Sequence, residues 1–151
     1  MPDAIDSRDG ESIRREPMLK IPVPDPPPAI TPWVLSLRFG LEIGSLIAIG
    51  AWARRAAGPG IAGWVAAIAA PLVAATVWGV FAVPRDPSRS GKAPVRVSGG
   101  IRLVIELAVF FCGAASLVSL GWWPWFDAFI AAFVIHHMGT AKRLLWLTRQ
   151  K

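Results

Sequence analysis

A chain of 151 residues that is 54% hydrophobic, with a mean hydropathy of +0.48, suits one domain but is too apolar for an ordinary soluble domain of its size. Its net charge of +6 and pI near 10.7 would raise nucleic acid as a partner, but the bases flank long apolar runs, where membrane topology signals sit, so nucleic acid is set aside. One cysteine, Cys112, excludes an intrachain disulfide, leaves a metal or redox centre without its usual partners, and reads as a small buried hydrophobe.

Residues 1–31 combine seven prolines with six acids and four bases and carry too little apolar surface to offset the entropy of ordering. They predict a disordered, cytoplasmic, proline-rich tail. The run Ile21 to Pro28 favours polyproline II, and no signal peptide opens the chain.

The remainder, 32–147, predicts an all-α fold, a four-helix transmembrane bundle with spans at about 32–53, 60–83, 99–120 and 124–146. Thr31 and Pro32 are suited to the N-cap and first position of the first span. Trp33 and Trp52 mark its ends, about 28 Å apart at helical rise. The second span follows the turn Gly58-Pro59-Gly60, contains Pro71 as an expected kink, and carries a stripe of Gly63, Ala67, Ala70 and Ala74 for packing. Prolines 84, 87 and 94 end it and open a polar loop. The third span starts near Val97 to Gly100. Trp122, Trp123, Pro124 and Trp125 turn it into the fourth, whose inner end Trp146 marks, about 31 Å from Trp125.

Twelve bases, in the tail, in the 85–96 loop and at the C-terminus, fall on one side of these spans; only Arg54 and Arg55 fall on the other. The asymmetry predicts a plasma-membrane protein with both termini cytoplasmic.

Ionisable groups within spans are costly and are candidates for function. They are Arg38 and Glu42 in the first span, Arg102 and Glu106 in the third, and Asp127, His136 and His137 in the fourth. The two Arg-x-x-x-Glu pairs lie 64 residues apart, a weak sign of a duplicated hairpin. Within one helix this order is the less favourable one for an ion pair, so partners across helices are the better expectation. Depth along the helices predicts an Arg38 to Glu106 pair, with Glu42, about 14 Å deep, facing His136 or His137. Asp127, beside Trp125, reads as a wetted interfacial carboxylate.

Two readings follow: charges that neutralise one another and fix helix register, or a proton relay through Glu42 and a histidine in a small transporter or exporter. Neighbouring histidines point about 100° apart and cannot both ligate one haem from a single helix, and the serines lack a paired base. No enzyme, metal or cofactor is expected. Gly40 and Gly44 form a Gly-x-x-x-Gly face suited to packing within or between chains, so a homo-oligomer or a membrane-protein partner joins the lipid bilayer as an expected neighbour.

The motifs Arg38-Phe-Gly-Leu-Glu42, Pro71 to Phe81 followed by Pro84-Arg85, and Arg102-Leu-Val-Ile-Glu106 followed by Val109-Phe110 are together similar to the YrdB-like family of small bacterial membrane proteins, a domain of unknown function. The resemblance spans roughly 33–147. It implies a four-helix integral membrane protein and brings no activity. The chain departs from the family in its longer tail and in His136-His137, where the resemblance implies an asparagine. That lowers the weight of the histidines and raises that of the arginine and glutamate pairs.

Overall fold

The computed structural model describes residues 28–86 and 94–149, so most of the predicted N-terminal tail lies outside the described residues. What is described is helical apart from one minimal strand pair: α1 Pro32–Ala56, α2 Ile61–Val80, β1 Phe81–Ala82, β2 Val95–Arg96, α3 Gly99–Leu120, α4 Trp123–Gly139 and α5 Ala141–Thr148.

Local chemistry explains the boundaries. Thr31 is extended (φ −71°, ψ 144°) and Pro32 supplies a preset φ at the first turn of α1, where its missing N–H costs nothing. Arg54 and Arg55 lie in the last turn, at the negative end of the helix dipole. Arg54 also donates to the Gly58 carbonyl at 2.7 Å and stands over the Trp64 ring at 4.8 Å. Gly58 and Gly60 take φ of 81° and 88°, which turns the chain back into α2. At the start of α3, Ser98 accepts from the Ile101 amide. At its end Gly121 is left-handed (φ 74°), and bonds from Trp122 to Leu117 and from Gly121 to Val118 form a Schellman motif.

α2 runs unbroken through Pro71. A proline leaves the carbonyl four residues back without its helical donor, and here that carbonyl belongs to Ala67. Gly50 of α1 lies against it, close enough that a Cβ on Gly50 would come within 2.8 Å of the oxygen. A glycine at this crossing therefore lets α1 approach the freed carbonyl, which the weak Cα–H donors of a close backbone can partly satisfy.

α1 and α3 form the centre, with α2 packed mainly on α1, α4 against α1 and α3, and α5 on α3. Leu41, Ala48, Phe110, Leu117 and Phe129 form the principal apolar cluster, and Phe126 and Phe133 pack onto it. Phe110 meets Phe129 and Phe133 edge-on, with ring centroids 6.4 and 5.8 Å apart. The outer surface is apolar as well: on α2 only Gly63 is fully buried, while Ile61, Trp64, Val65, Ile68, Leu72 and Val73 point outward. α1, α2 and α3 are long and apolar enough to cross a membrane.

Four features differ from the sequence reading. The helix predicted over 124–146 is interrupted at Thr140 (φ −111°, ψ 11°) and becomes α4 and the short α5. No proline marks the break. The Thr140 hydroxyl donates back to the His136 carbonyl at 2.9 Å, a bond that competes with helix continuation, while α5 turns Arg143, Trp146 and Leu147 inward. Trp146, read as an interfacial marker, is instead buried with Val83 and Leu147. Cys112, read as buried, is exposed on the outer face of α3. Gly40 has open space around it and Gly44 meets only Phe129, at 3.9 Å, so within the chain the Gly-x-x-x-Gly face makes no close helix crossing.

Between α2 and α3 the chain makes a turn that places an acid. The Asp86 amide donates to the Val83 carbonyl at 3.3 Å, Pro84 occupies the second position, and Arg85 takes φ 64° in the third. That is the pattern of a type II turn, whose third position favours glycine. Arg85→Gly is therefore expected to leave the thermal midpoint nearly unchanged. Arg85→Val adds β-branching to a left-handed cost that Arg85 already bears, and should cost up to about 1 kcal/mol more, read from thermal unfolding in detergent.

Candidate functional site

Six ionisable side chains gather at the end of the molecule where α1 begins, α2 ends, α3 begins and α5 returns. Arg38 and Glu42 come from α1, Asp86 from the turn after α2, Arg102 and Glu106 from α3, and Arg143 from α5. Arg38, Asp86, Arg102, Glu106 and Arg143 are buried and Glu42 is partly buried.

Glu106, 0% exposed, is the centre. Its Oε1 accepts from Arg38 Nη1 at 2.9 Å and from Arg143 Nη1 at 3.2 Å. Its Oε2 accepts from Arg38 Nη2 at 3.0 Å and from Arg143 Nη2 at 3.1 Å. Two guanidinium forks thus clamp one carboxylate from both sides. Each arginine then uses its remaining edge on a second acid. Arg38 Nε donates to Glu42 Oε1 at 2.7 Å; Arg143 Nε and Nη2 donate to Asp86 Oδ1 and Oδ2 at 3.0 and 2.8 Å. The result is a chain of alternating sign, Glu42, Arg38, Glu106, Arg143, Asp86, that ties α1, α3, α5 and the turn together.

Arg102 does something else. Its Nη1 donates to the carbonyls of Trp78 and Phe81, at 2.7 and 3.1 Å, and its guanidinium stands over the Trp78 ring at 4.8 Å. The carbonyls at a helix C-terminus lack intrahelical donors and carry the negative end of the dipole, so a buried cation there caps α2. With Arg102 included, the described residues of the site are three arginines and three carboxylates, whose charges balance. Arg102→Met, which keeps the bulk and removes the donors, should destabilise the fold by about 1–3 kcal/mol and speed amide exchange selectively in the last turn of α2.

The sequence placed Arg38 opposite Glu106, and the structure brings these two together. It also forms the Arg38 to Glu42 pair within one helix, in the order expected to be less favourable, because Arg38 is already fixed by Glu106 and only its Nε edge remains. Arg102 and Glu106, the second such pair, are not hydrogen-bonded to one another. The predicted meeting of Glu42 with a histidine is a correction: His136 is 1% exposed and neither ring nitrogen has a hydrogen-bond partner, while His137 uses Nδ1 on the Phe133 carbonyl at 2.9 Å and its Nε2 has none. The two imidazoles pack edge to face, with centroids 5.1 Å apart, and His137 lies 4.0 Å from the Phe133 ring. They belong to the aromatic layer beneath the charged one. Among the described residues no group of three or more His, Cys, Asp or Glu is arranged to hold a metal ion.

Arg143 and Asp86 were missed. One signal was present, since Arg143 follows His136 by seven residues, two turns on the same helical face.

Fold and site define a class: a small helical protein with three helices apolar enough for a bilayer and a buried, charge-balanced arginine and carboxylate cluster closing one end. The family described as "Protein of unknown function (DUF2568)" matches over residues 36–135, and the chain belongs to that family. The matched region contains Arg38, Glu42, Asp86, Arg102 and Glu106 but ends before Arg143. The chain is also similar to the "Uncharacterized protein YrdB" of Bacillus subtilis (strain 168), with 40% identity over 116 residues, 77% of this chain and 94% of that protein. No solved structure matches it.

Proposed function

We propose that this is a multi-pass protein of the plasma membrane that crosses the bilayer four times, with both termini and the segment between α2 and α3 on the cytoplasmic side. The fourth crossing is α4, whose 17 residues cover about 25 Å, just enough for the hydrocarbon core. In this reading the protein is not an enzyme and binds no nucleic acid. Its cluster is a lock that fixes helix register at the cytoplasmic end, and it serves as an accessory or scaffold protein, in a homo-oligomer or beside a membrane-protein partner.

The observation that carries the reading is the double clamp on Glu106. A carboxylate held by two guanidiniums is already neutralised, and releasing it for proton transfer would strand two buried cations. The proton-relay alternative needs Glu42 to meet an imidazole, and Glu42 is hydrogen-bonded to Arg38 instead. Orientation is supported by Arg85, Arg96, Lys142 and Arg149 at the cluster end against Arg54 and Arg55 at the other.

Single cysteines in a Cys112→Ser background test the arrangement in intact cells with a membrane-impermeant maleimide. Ala57→Cys and Trp123→Cys should label from outside, and Arg96→Cys only after permeabilisation. The reverse pattern would overturn the orientation, and recovery of the chain in the soluble fraction would overturn the membrane reading. Proton release by the wild type near neutral pH, lost in Glu42→Gln with the fold intact, would overturn the lock.

A further inference from the structure

We propose that the rim of this cluster is a binding site for the phosphate of an anionic phospholipid, formed by Arg85, Lys142 and Arg96; the inference rests on the membrane reading above. The internal pairing sets up the rim. Asp86 and Arg143 are bonded to each other inside, which ties together the segments that carry their chain neighbours Arg85 and Lys142, both of them exposed. Arg96 belongs to β2, whose register sets it beside Ala82, four residues before Asp86, and it too is exposed. Three exposed cations therefore lie on segments that this ion pair and the strand pairing hold at one end of the molecule.

Their charge is not spent locally. Among the described residues the acids at this end of the molecule are Glu42, Asp86 and Glu106; all three are taken up by Arg38 and Arg143, and the remaining acid, Asp127, is at the start of α4, at the opposite end. Among the described residues the cluster's own charges balance, so the rim cations add net positive charge at this end. Arg85 is held there at a backbone cost: its φ of 64° is unusual for a non-glycine residue, and the buried Asp86 to Arg143 bonds hold the turn that imposes it.

The position selects a lipid rather than a soluble anion. The rim stands at the ends of helices able to cross a bilayer, and exposed apolar groups, Val95 beside Arg96 and Leu145 one turn beyond Lys142, flank the cations. A headgroup phosphate would meet the guanidiniums and the ammonium while its glycerol and acyl carbons met these side chains. Basic residues just inside a membrane surface attract anionic lipid in this way.

The full chain, reconstituted in vesicles of phosphatidylcholine with and without phosphatidylglycerol, gives the test through spin-labelled lipids of either headgroup. Wild type should prefer phosphatidylglycerol, and Arg85→Gln, Arg96→Gln and Lys142→Gln should each lower that preference about fivefold. Arg85→Lys with Arg96→Lys should retain it, since the charge stays. Equal association of both lipids with wild type, or an unchanged preference in the triple Gln variant, would overturn the proposal while the chain stays embedded in both membranes. Failure to embed in either would instead overturn the membrane reading. Inorganic phosphate protecting the micellar protein from heat as well as phosphatidylglycerol does would assign the rim to a soluble anion and likewise overturn the lipid assignment.

Discussion

Glu106→Gln is expected to destabilise the fold by about 3–5 kcal/mol, the range found when one partner of a buried ion pair is removed. Glutamine keeps the shape but replaces one accepting oxygen by an NH₂ group, so donors face donors where Arg38 and Arg143 converge. The arginines cannot swing out to water, being 3% and 1% exposed, and each is left with the acid at its far edge, Glu42 or Asp86. Those residual pairs keep the cost within the range rather than above it. A double variant, Arg38→Met with Glu106→Met, removes the central pair, leaves Arg143 on Asp86, leaves Glu42, 16% exposed, to be solvated in place of its bond to Arg38, and fills the space with apolar side chains. It should be more stable than Glu106→Gln by about 1 kcal/mol or more, because buried ion pairs exchanged whole for hydrophobic groups are often neutral. Equilibrium unfolding in mixed micelles measures both. A loss below about 1 kcal/mol for Glu106→Gln would mean that the clamp adds no net stability, and the lock reading would fall.

How much of this was legible beforehand differs by element. α1 to α3 announce themselves through long apolar runs, a proline at the first helical position of α1 and glycines at the turn before α2, all of which act locally. Arg38 against Glu106 was legible because both lie within apolar runs and their depths can be counted along two helices. Asp86 was not, and Arg143 only through its spacing from His136, because each sits among other charges in a polar stretch where a base reads as a topology signal and an acid as a solvated one. Only the fold of the turn after α2 and the break at Thr140 turn them inward. The break itself depends on a threonine back-bond and on the burial of Arg143, Trp146 and Leu147, which are tertiary causes. The same cause misassigned Trp146: spacing from Trp125 fitted a bilayer, but Val83 and Leu147 cover it. The glycine pair in α1 misled differently. Gly40 and Gly44 have the helix-packing spacing, yet the glycines where helices approach most closely are Gly50, Gly99 and Gly113, which no short motif connects.

Gly113→Leu is the second large effect, expected at about 3 kcal/mol, the upper end of the cost of overpacking a core. At this position α3 crosses α1 so closely that even a Cβ would stand 2.6 Å from Ser45 Oγ and 2.7 Å from its Cα and Cβ. Ser45 cannot move aside, because it is fully buried and its hydroxyl donates to the Leu41 carbonyl at 2.8 Å on its own helix. The strain must therefore spread by separating α1 from α3, and these are the two helices that Arg38 and Glu106 join about two turns away. Widening the crossing lengthens those bonds, so the cost of Gly113→Leu and that of Glu106→Gln should not add: once the crossing is forced open, the second change loses part of its effect, by about 0.5–3 kcal/mol of coupling. Gly40→Leu serves as the contrast, since a Cβ there meets nothing within 4 Å and the change should be nearly neutral in the monomer. Additive losses from Gly113→Leu and Glu106→Gln would mean that the crossing and the ion cluster stabilise the fold independently, and that the cluster does not set the register of α1 on α3.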